Sequence, residues 1–387
     1  MAKIKTTYIP RFIDLKKILD KKSCFLFGPR QTGKSLLIRR TIPECRVYNL
    51  LESETYLKFS RAPQRLRQEC GPGDKYVVID EVQKLPALLD EVHLLIEERG
   101  IKFLLTGSSA RKLRHGGANL LGGRARIKHL SPLSCMELKD RFDLTRALNQ
   151  GLLPSIYLSD DPEEDLQTYV GTYLKEEIAA EGLTRNIPAF SRFLEVAAVC
   201  NGQLINYAKI SNDAQVARST VQEYFQILKD TLIAFELPAW QASRKRKPLT
   251  TSKFYFFDPG VVRFLQNRRV VARGSPEFGE LFETYIFHEL KFFCEQHGNE
   301  GLAYWQSKSG YEVDFIVNNT IAVEVKASSN VGPHDLRGMK ALMEEKKLRH
   351  YIVICFDNTP RTVDGISIMP WRMFLDKLWG ESFRAAS

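Results

Sequence analysis

Residues Gly28–Ser35 read Gly-Pro-Arg-Gln-Thr-Gly-Lys-Ser (GPRQTGKS), a glycine, four residues, then Gly-Lys-Ser. This is the spacing of a phosphate-binding loop. Glycines let the backbone wrap closely around phosphate oxygens, so that successive N–H groups point at the anion. Lys34 is placed to reach the outer phosphates and the Ser35 hydroxyl to bind Mg²⁺. Ser23-Cys24-Phe25-Leu26-Phe27 precedes the loop as a short apolar run bounded by glycine, a buried strand. Leu36, Leu37 and Ile38 open a helix whose N-terminus favours phosphate. The expected nucleotide contacts are therefore Gly28, Pro29, Arg30, Gln31, Thr32, Gly33, Lys34, Ser35 and Leu36, with a nucleoside triphosphate and Mg²⁺ as the expected ligands.

Strand and helix signals alternate around this loop. Ile13, Leu15, Ile18 and Leu19 among lysines predict a short amphipathic helix ahead of the first strand. Arg46–Leu50, Lys75–Ile79 and Lys102–Thr106 predict strands. Ser53–Glu69, interrupted at Pro63, and Ala87–Arg99 predict helices. Such alternation implies an α/β fold, a parallel sheet with helices on both faces. The strand YVVIDE ends in Asp80 and Glu81, where the first is placed to hold Mg²⁺ and the second to orient and deprotonate water. The next strand ends at Thr106-Gly107-Ser108-Ser109, which sets Ser108 near a γ-phosphate; an ordinary helix-capping serine has the same appearance. The loop His115–Arg126 carries Gly116-Gly117, Gly122-Gly123, Arg124 and Arg126. It is either a flexible basic surface loop or one that delivers an arginine to a transition state, in cis or to a neighbour.

GPRQTGKS, YVVIDEVQKLP, FLLTGSSARKL, GGRARIKHLSPLSCMEL and GLLPSIYL together resemble a family of prokaryotic AAA-type P-loop ATPases of the AAA+ superfamily. In that family the P-loop domain is joined to a conserved C-terminal domain of unknown function. The resemblance implies ATP as the nucleotide, a P-loop core with an additional strand, Lys34 and Ser35 on nucleotide and Mg²⁺, Asp80 and Glu81 as the Walker B pair, and Ser108 in the sensor position. Arg124 matches a recurring Gly-Arg of the family.

A chain of 387 residues is long for one core and predicts two or three domains, divided here as 1–130, 131–245 and 246–387. No apolar run reaches 18 residues, which predicts a soluble cytoplasmic protein without a membrane partner. Seven scattered cysteines form no C-x-x-C pair, as reduced thiols would. The net charge of +10 is concentrated. Residues 1–50 hold 12 Lys/Arg against 3 Asp/Glu, and residues 241–273 hold 9 against one. Concentrated cation suggests a nucleic acid partner, DNA first; solvated faces or docking on acidic parts of the same chain are the alternatives.

In the middle segment Leu133–Leu148 and Asp165–Ala180 predict helices. Arg192–Cys200, Ile205–Ser211 and Val216–Leu232 predict three more, with Val221, Phe225, Leu228 and Leu232 on one face of the last. Leu232–Trp240 and Lys253–Phe257 predict the two strands of a wing. The pattern resembles a winged helix-turn-helix, which places its third helix in the major groove. Arg218, Ser219, Thr220 and Gln222 are then the base-edge contacts. Arg244, Lys245, Arg246 and Lys247 at the wing tip are the phosphate contacts. Winged helices also serve as protein contacts and lids.

Glu277–Gln296 predicts a helix carrying Glu283, followed by strands Leu302–Trp305, Glu312–Val317 and Ile321–Lys326. A three-residue loop centred on Asn319 places Asp314 opposite Glu324, and Lys326 shares the face of Glu324. Paired carboxylates on a sheet repel unless a cation lies between them, and Mg²⁺ or Mn²⁺ is the natural guest. Lys326 is then placed to help activate water or to stabilise the developing phosphorane charge. Glu283, Asp314, Glu324 and Lys326 resemble the PD-(D/E)XK nuclease set, which implies a restriction-endonuclease-like domain that either cuts DNA or survives as a binding module. The reading is an ATPase coupled to DNA binding and metal-dependent cleavage. The alternative is a nucleotide-gated switch or scaffold that binds protein or DNA and cuts nothing. A homo-oligomer or a protein partner fits either.

Overall fold

The computed structural model describes residues 8–109, 111, 113, 121–174 (172–174 by backbone only), 186–243, 245–298, 301–380, 382 and 383. Residues 114–120 of the glycine-rich loop, residues 175–180 of the expected long helix, and Arg244 lie outside this set.

The N-terminal sheet has five strands: β1 (Ser23–Phe27), β2 (Arg46–Asn49), β3 (Tyr76–Asp80), β4 (Lys102–Gly107) and β5 (Ala125–His129). Their order is β2-β3-β4-β1-β5 and every pairing is parallel. Parallel strands covered on both faces read as unbroken apolar runs. Accordingly Phe25 and Phe27 enter one core and Cys24 and Leu26 the other. Helices α1 (Leu15–Lys21), α2 (Lys34–Thr41), α3 (Ser53–Arg61), α4 (Arg65–Glu69) and α5 (Leu88–Arg99) cover the sheet. Pro63 lies in the break between α3 and α4, as its missing N–H requires. β4 sits between β1 and β3, so three strand ends meet beside the glycine loop. β5 lies in what reads as loop from the sequence. ARIKH carries two cations, Arg126 and Lys128, on an edge strand, and the buried-strand pattern is absent there.

The expected helix over 133–148 is two. α6 (Cys135–Leu138) stops where Lys139 takes φ 52°, and α7 (Leu144–Gln150) restarts on an Asp143 cap. α8 (Pro154–Tyr157), α9 (Pro162–Thr168) and a π-helical turn Tyr169–Leu174 follow. Next come α10 (Ile187–Val199), α11 (Tyr207–Ala214) and α12 (Arg218–Asp230). A ribbon of β6 (Ala234–Leu237) and β7 (Lys253–Phe256), antiparallel, completes the segment. Leu232 lies beyond α12 rather than on its face, at φ 60°, and packs toward the N-terminal core. α13 (Pro259–Leu265) then rests on α7 through Asp258. That carboxylate accepts the N–H of Leu152 at 2.6 Å and of Val261 at 3.1 Å.

The C-terminal part is built on α14 (Pro276–His297), capped by Ser275, opened by Pro276 and ended by Gly298 at φ 69°. It covers a sheet of β8 (Leu302–Gln306), β9 (Glu312–Val317), β10 (Ile321–Val325), β11 (His350–Cys355), β12 (Arg361–Val363) and β13 (Ile366–Pro370), in the order β12-β13-β11-β10-β9-β8. β8, β9 and β10 are antiparallel neighbours; β10, β11 and β13 are parallel, with α15 (Arg337–Met343) crossing between β10 and β11. α16 (Trp371–Trp379) closes the layer. One buried apolar cluster runs from Leu133 to Leu378, across the expected division at 245/246. Among the described residues no helix is long and apolar enough to cross a membrane.

Candidate functional site

Two polar constellations stand out. The first is at the carboxyl ends of β1, β3 and β4. Gly28 follows β1, and a Cβ there would collide with the Leu130 carbonyl. Gly33 at φ 91° caps α2 with no side chain, so the first N–H groups of α2 are left for an anion. Thr32 Oγ1 donates to the Pro29 carbonyl at 2.8 Å and stiffens the loop. Lys34 is folded back, its Nζ donating to Gly28 O at 2.7 Å and Pro29 O at 3.1 Å. Ser35 is exposed and its Oγ lies 3.5 Å from Asp80 Oδ2.

Asp80 ends β3, and its other carboxylate oxygen accepts from Thr106 at the end of β4. Ser35 with Asp80 is a fitting pair for Mg²⁺, which keeps most of its shell as water and phosphate oxygen. Glu81 is buried, at φ 59°. Gln83 Nε2 donates to Glu81 Oε2 at 2.5 Å and to Ser108 Oγ at 3.2 Å, tying these two groups together. Gly107 leaves room for it, since a Cβ there would force the Gln83 amide to shift. Gln83 and Thr106 escaped the sequence reading, although both lie inside the motifs quoted.

The outer side of the loop is covered by other elements. Gln31 Oε1 accepts from Ser155 on α8 at 2.7 Å, and Arg11 donates to Thr32 O at 2.7 Å and to Glu137 at 3.0 Å. Arg30 and Leu36 are half-buried and Pro29 is buried. Past Ser108, Ser109 Oγ donates to Asp230 O at 3.0 Å, and Arg111 pairs with the Asp230 carboxylate at 3.1 Å. The segment behind Ser108 is thus tied to the last turn of α12.

Arg124 does not belong to this constellation in its own chain. β5 runs parallel to β1 with Ala125 beside Ser23, so Arg124 precedes the amino end of the strand. A five-residue strand separates it from the glycine loop by roughly 16 Å. Its guanidinium pairs with Glu97 on α5.

The second constellation lies between α14, β9 and β10. Val317 pairs with Ile321 across Asn318 and Asn319, which take φ 51° and 52°, a conformation asparagine tolerates. The same register carries Asp314 to the position opposite Glu324. Asp314 Oδ2 accepts the Val325 N–H at 2.8 Å. Glu324 Oε1 pairs with Lys326 at 2.8 Å, and its buried Oε2 has no partner. Glu283 Oε1 accepts from the Tyr255 hydroxyl at 2.5 Å.

Burial, with the Asp314 charge added, pushes Glu283 up to about 7 and Glu324 well above the usual carboxylate range; burial also raises Asp314. Lys253, which the sequence reading passed over, lies beside these groups. It pairs with Glu312 and stands 3.9 Å from Glu283. Among the described residues, no three His, Cys, Asp or Glu side chains converge as an ion cage here or elsewhere.

The expected wing tip is not free. Between β6 and β7 the chain runs along β8, with Trp240 N–H bonded to Tyr304 O at 2.7 Å and Leu249 N–H to Gln306 O at 2.9 Å. The buried Glu345 carboxylate accepts the N–H of Lys245 at 3.0 Å and of Arg246 at 2.9 Å; Arg246 also pairs with Glu344 at 2.9 Å. Lys245 and Lys247 remain exposed. A free tip would strip that buried carboxylate of these N–H donors, which is the physical reason the segment is held. On α12, Arg218, Ser219 and Gln222 are exposed and Thr220 is half-buried.

Residues 20–139 match a family model described as an AAA domain. Residues 141–270 and 278–374 match two models described as domains of unknown function, DUF8612 and DUF4143. The first domain is thus an AAA-type P-loop domain. An uncharacterized protein of Mycobacterium tuberculosis is 24% identical over 341 residues, covering 85% of this chain and 75% of that one. One of Haemophilus influenzae is 24% identical over 295 residues, covering 68% and 72%. The solved structure of the Aeropyrum pernix ORC1 protein in complex with DNA is 13% identical at a TM-score of 0.28, covering 67% of this chain and 93% of that one.

Proposed function

We propose that this chain binds and hydrolyses ATP and uses the nucleotide state to reposition a DNA-facing helical segment. The observation that carries the ATPase reading is the meeting of Ser35, Asp80, Glu81 and Ser108 at three adjacent strand ends, with Gln83 bridging Glu81 to Ser108. Incoming phosphates would take Lys34 from the Gly28 and Pro29 carbonyls. Mg²⁺ held at Ser35 and Asp80 would supply charge neutralisation. Glu81 orients the attacking water, and Gln83 reports on it to Ser108. Beyond Ser108 the bonds of Ser109 and Arg111 to Asp230 pass a shift of the strand end to α12. That Arg124 acts on a neighbouring subunit's nucleotide is compatible with its place at the far edge of the sheet. The test is a pair of variants. Glu81→Gln is expected to keep ATP affinity and lose about 10²–10³ in kcat. Lys34→Ala is expected to lose nucleotide binding by calorimetry. Wild-type protein that gives no heat with Mg²⁺ and either ATP or GTP would sink the reading.

The DNA reading rests on the exposed first turns of α12, at Arg218, Ser219 and Gln222, and on Lys245 and Lys247. α10, α11 and α12 with the β6–β7 ribbon support a winged helix-turn-helix. A second reading, metal-dependent cleavage by a nuclease-like C-terminal domain, is favoured by the unpartnered Glu324 Oε2 beside Asp314 and Lys326. Against it stands the engagement of each carboxylate by the chain's own donors, which favours the switch that does not cut.

A further inference from the structure

Lys253 opens β7 and is only 5% exposed. Burying an ammonium is costly unless anions surround it. Here they do: it pairs with Glu312, Glu283 Oε1 is 3.9 Å away, and the Asp314 charge acts on it. The Tyr304 ring lies 5.5 Å from its Nζ. Two residues on, Tyr255 of the same strand gives its hydroxyl to Glu283. Opposite, the buried Glu324 Oε2 is left with no partner.

Carboxylates from one helix and two neighbouring strands form the oxygen-rich set that a divalent cation takes. In this structure they do not converge as one. The obstacle is visible. β7, which belongs to the two-stranded ribbon and not to the six-stranded sheet, delivers a cation and a hydroxyl into the cluster, and Mg²⁺ or Mn²⁺ needs that volume and those oxygens for itself.

We propose that Lys253 is a tethered substitute for the metal. While β7 is seated, its ammonium neutralises the Glu283–Glu312–Asp314 cluster and the site takes no divalent ion. A tethered cation is present at a high effective concentration, so free ions in solution compete poorly. The inference holds whether or not the domain cuts DNA, and it does not depend on the ATPase reading.

The experiment is a Mn²⁺ titration of the full chain by calorimetry, without nucleotide. Wild type, Lys253→Met and Lys253→Gln are compared, each with and without Asp314→Ala. Wild type is expected to show no Mn²⁺ binding that Asp314→Ala removes. Lys253→Met is expected to gain a single site, roughly tenfold or more tighter than any in wild type, and to lose it with Asp314→Ala. Its melting temperature should fall without Mn²⁺ and recover with it. A variant that folds only with Mn²⁺ present supports the proposal equally. Tight, Asp314-dependent Mn²⁺ binding by wild type overturns it. So do folded Lys253 variants that bind no Mn²⁺, or variants that Mn²⁺ leaves unfolded.

Discussion

Glu289 lies in the middle of α14 with no exposed surface. One oxygen accepts the Cys135 N–H at 2.8 Å, and the Tyr285 hydroxyl lies beside the carboxyl group. Burial pushes its carboxyl from the ordinary 4.5 up to about 7. The folded chain therefore holds this proton more tightly than the unfolded chain. The stability it confers is complete below pH 4.5 and is lost as pH rises to about 7. Glu289→Gln keeps the acceptor for Cys135 and cannot ionise, and its amide can donate to the neighbouring Tyr285 hydroxyl. Melting curves from pH 4 to 8 should show the variant more stable than wild type at pH 8, by on the order of 1–3 kcal/mol, with the gap closing toward pH 4. Glu283 and Asp258, raised to about 7 and about 6, act in the same direction, but both remain in the variant and cancel in the difference.

At the scale of elements, α12 joins the segment behind Ser108 to an exposed surface. Its 13 residues span roughly 20 Å. Its C-terminal end is bonded to the segment behind Ser108, and its N-terminal turn is in solvent. Val221, Phe225 and Leu228 hold its inner face, and the Phe225 ring meets Phe254 of β7 at 4.6 Å. A movement of α12 therefore reaches the strand that carries Lys253. If Arg218, Lys245 and Lys247 meet DNA phosphates, each change to Ala should lower the log–log salt slope of duplex binding by about 0.9. Arg246, held by Glu344, should contribute less. Fluorescence anisotropy at several salt concentrations separates the two cases; slopes unchanged from wild type in all four single variants would remove this surface from the interface.

For the molecule as a whole, the middle helices and the C-terminal sheet share one core, whereas the N-terminal sheet has two of its own. Phe142 from the middle stacks on Tyr285 of α14 at 5.5 Å and touches Trp371 of α16 at 6.0 Å. Division at 245/246 strips α14 of Phe142 and β7 of Phe225. Residues 246–387 expressed alone should lack a cooperative melt and bind ANS, as exposed apolar surface does. A soluble fragment with a sharp thermal transition and native near-UV dichroism would show that this core is divisible. On the proposed ATPase reading, a shift at β1, β3 and β4 would pass through the Ser109 and Arg111 bonds to Asp230 and from there into this shared core.

The sequence alone determined the glycine loop, its flanking strand and helix, the Asp80–Glu81 pair and the Asp314–Glu324 register. Each depends on residues near one another in the chain, where glycine spacing, apolar periodicity and hairpin length act directly on the backbone. Pro63 and the Asn318-Asn319 turn were legible for the same reason. The tertiary structure decided which strand separates β1 from β3, and so which side chains meet the phosphate loop. It also decided that Arg124 faces the wrong end of its sheet, that Glu345 holds the basic tip, and that Lys253 enters the acidic cluster. These outcomes join segments tens of residues apart through buried charge and strand pairing. No local pattern encodes them, because the partner that a buried lysine or a surface arginine meets is chosen only when the chain closes on itself.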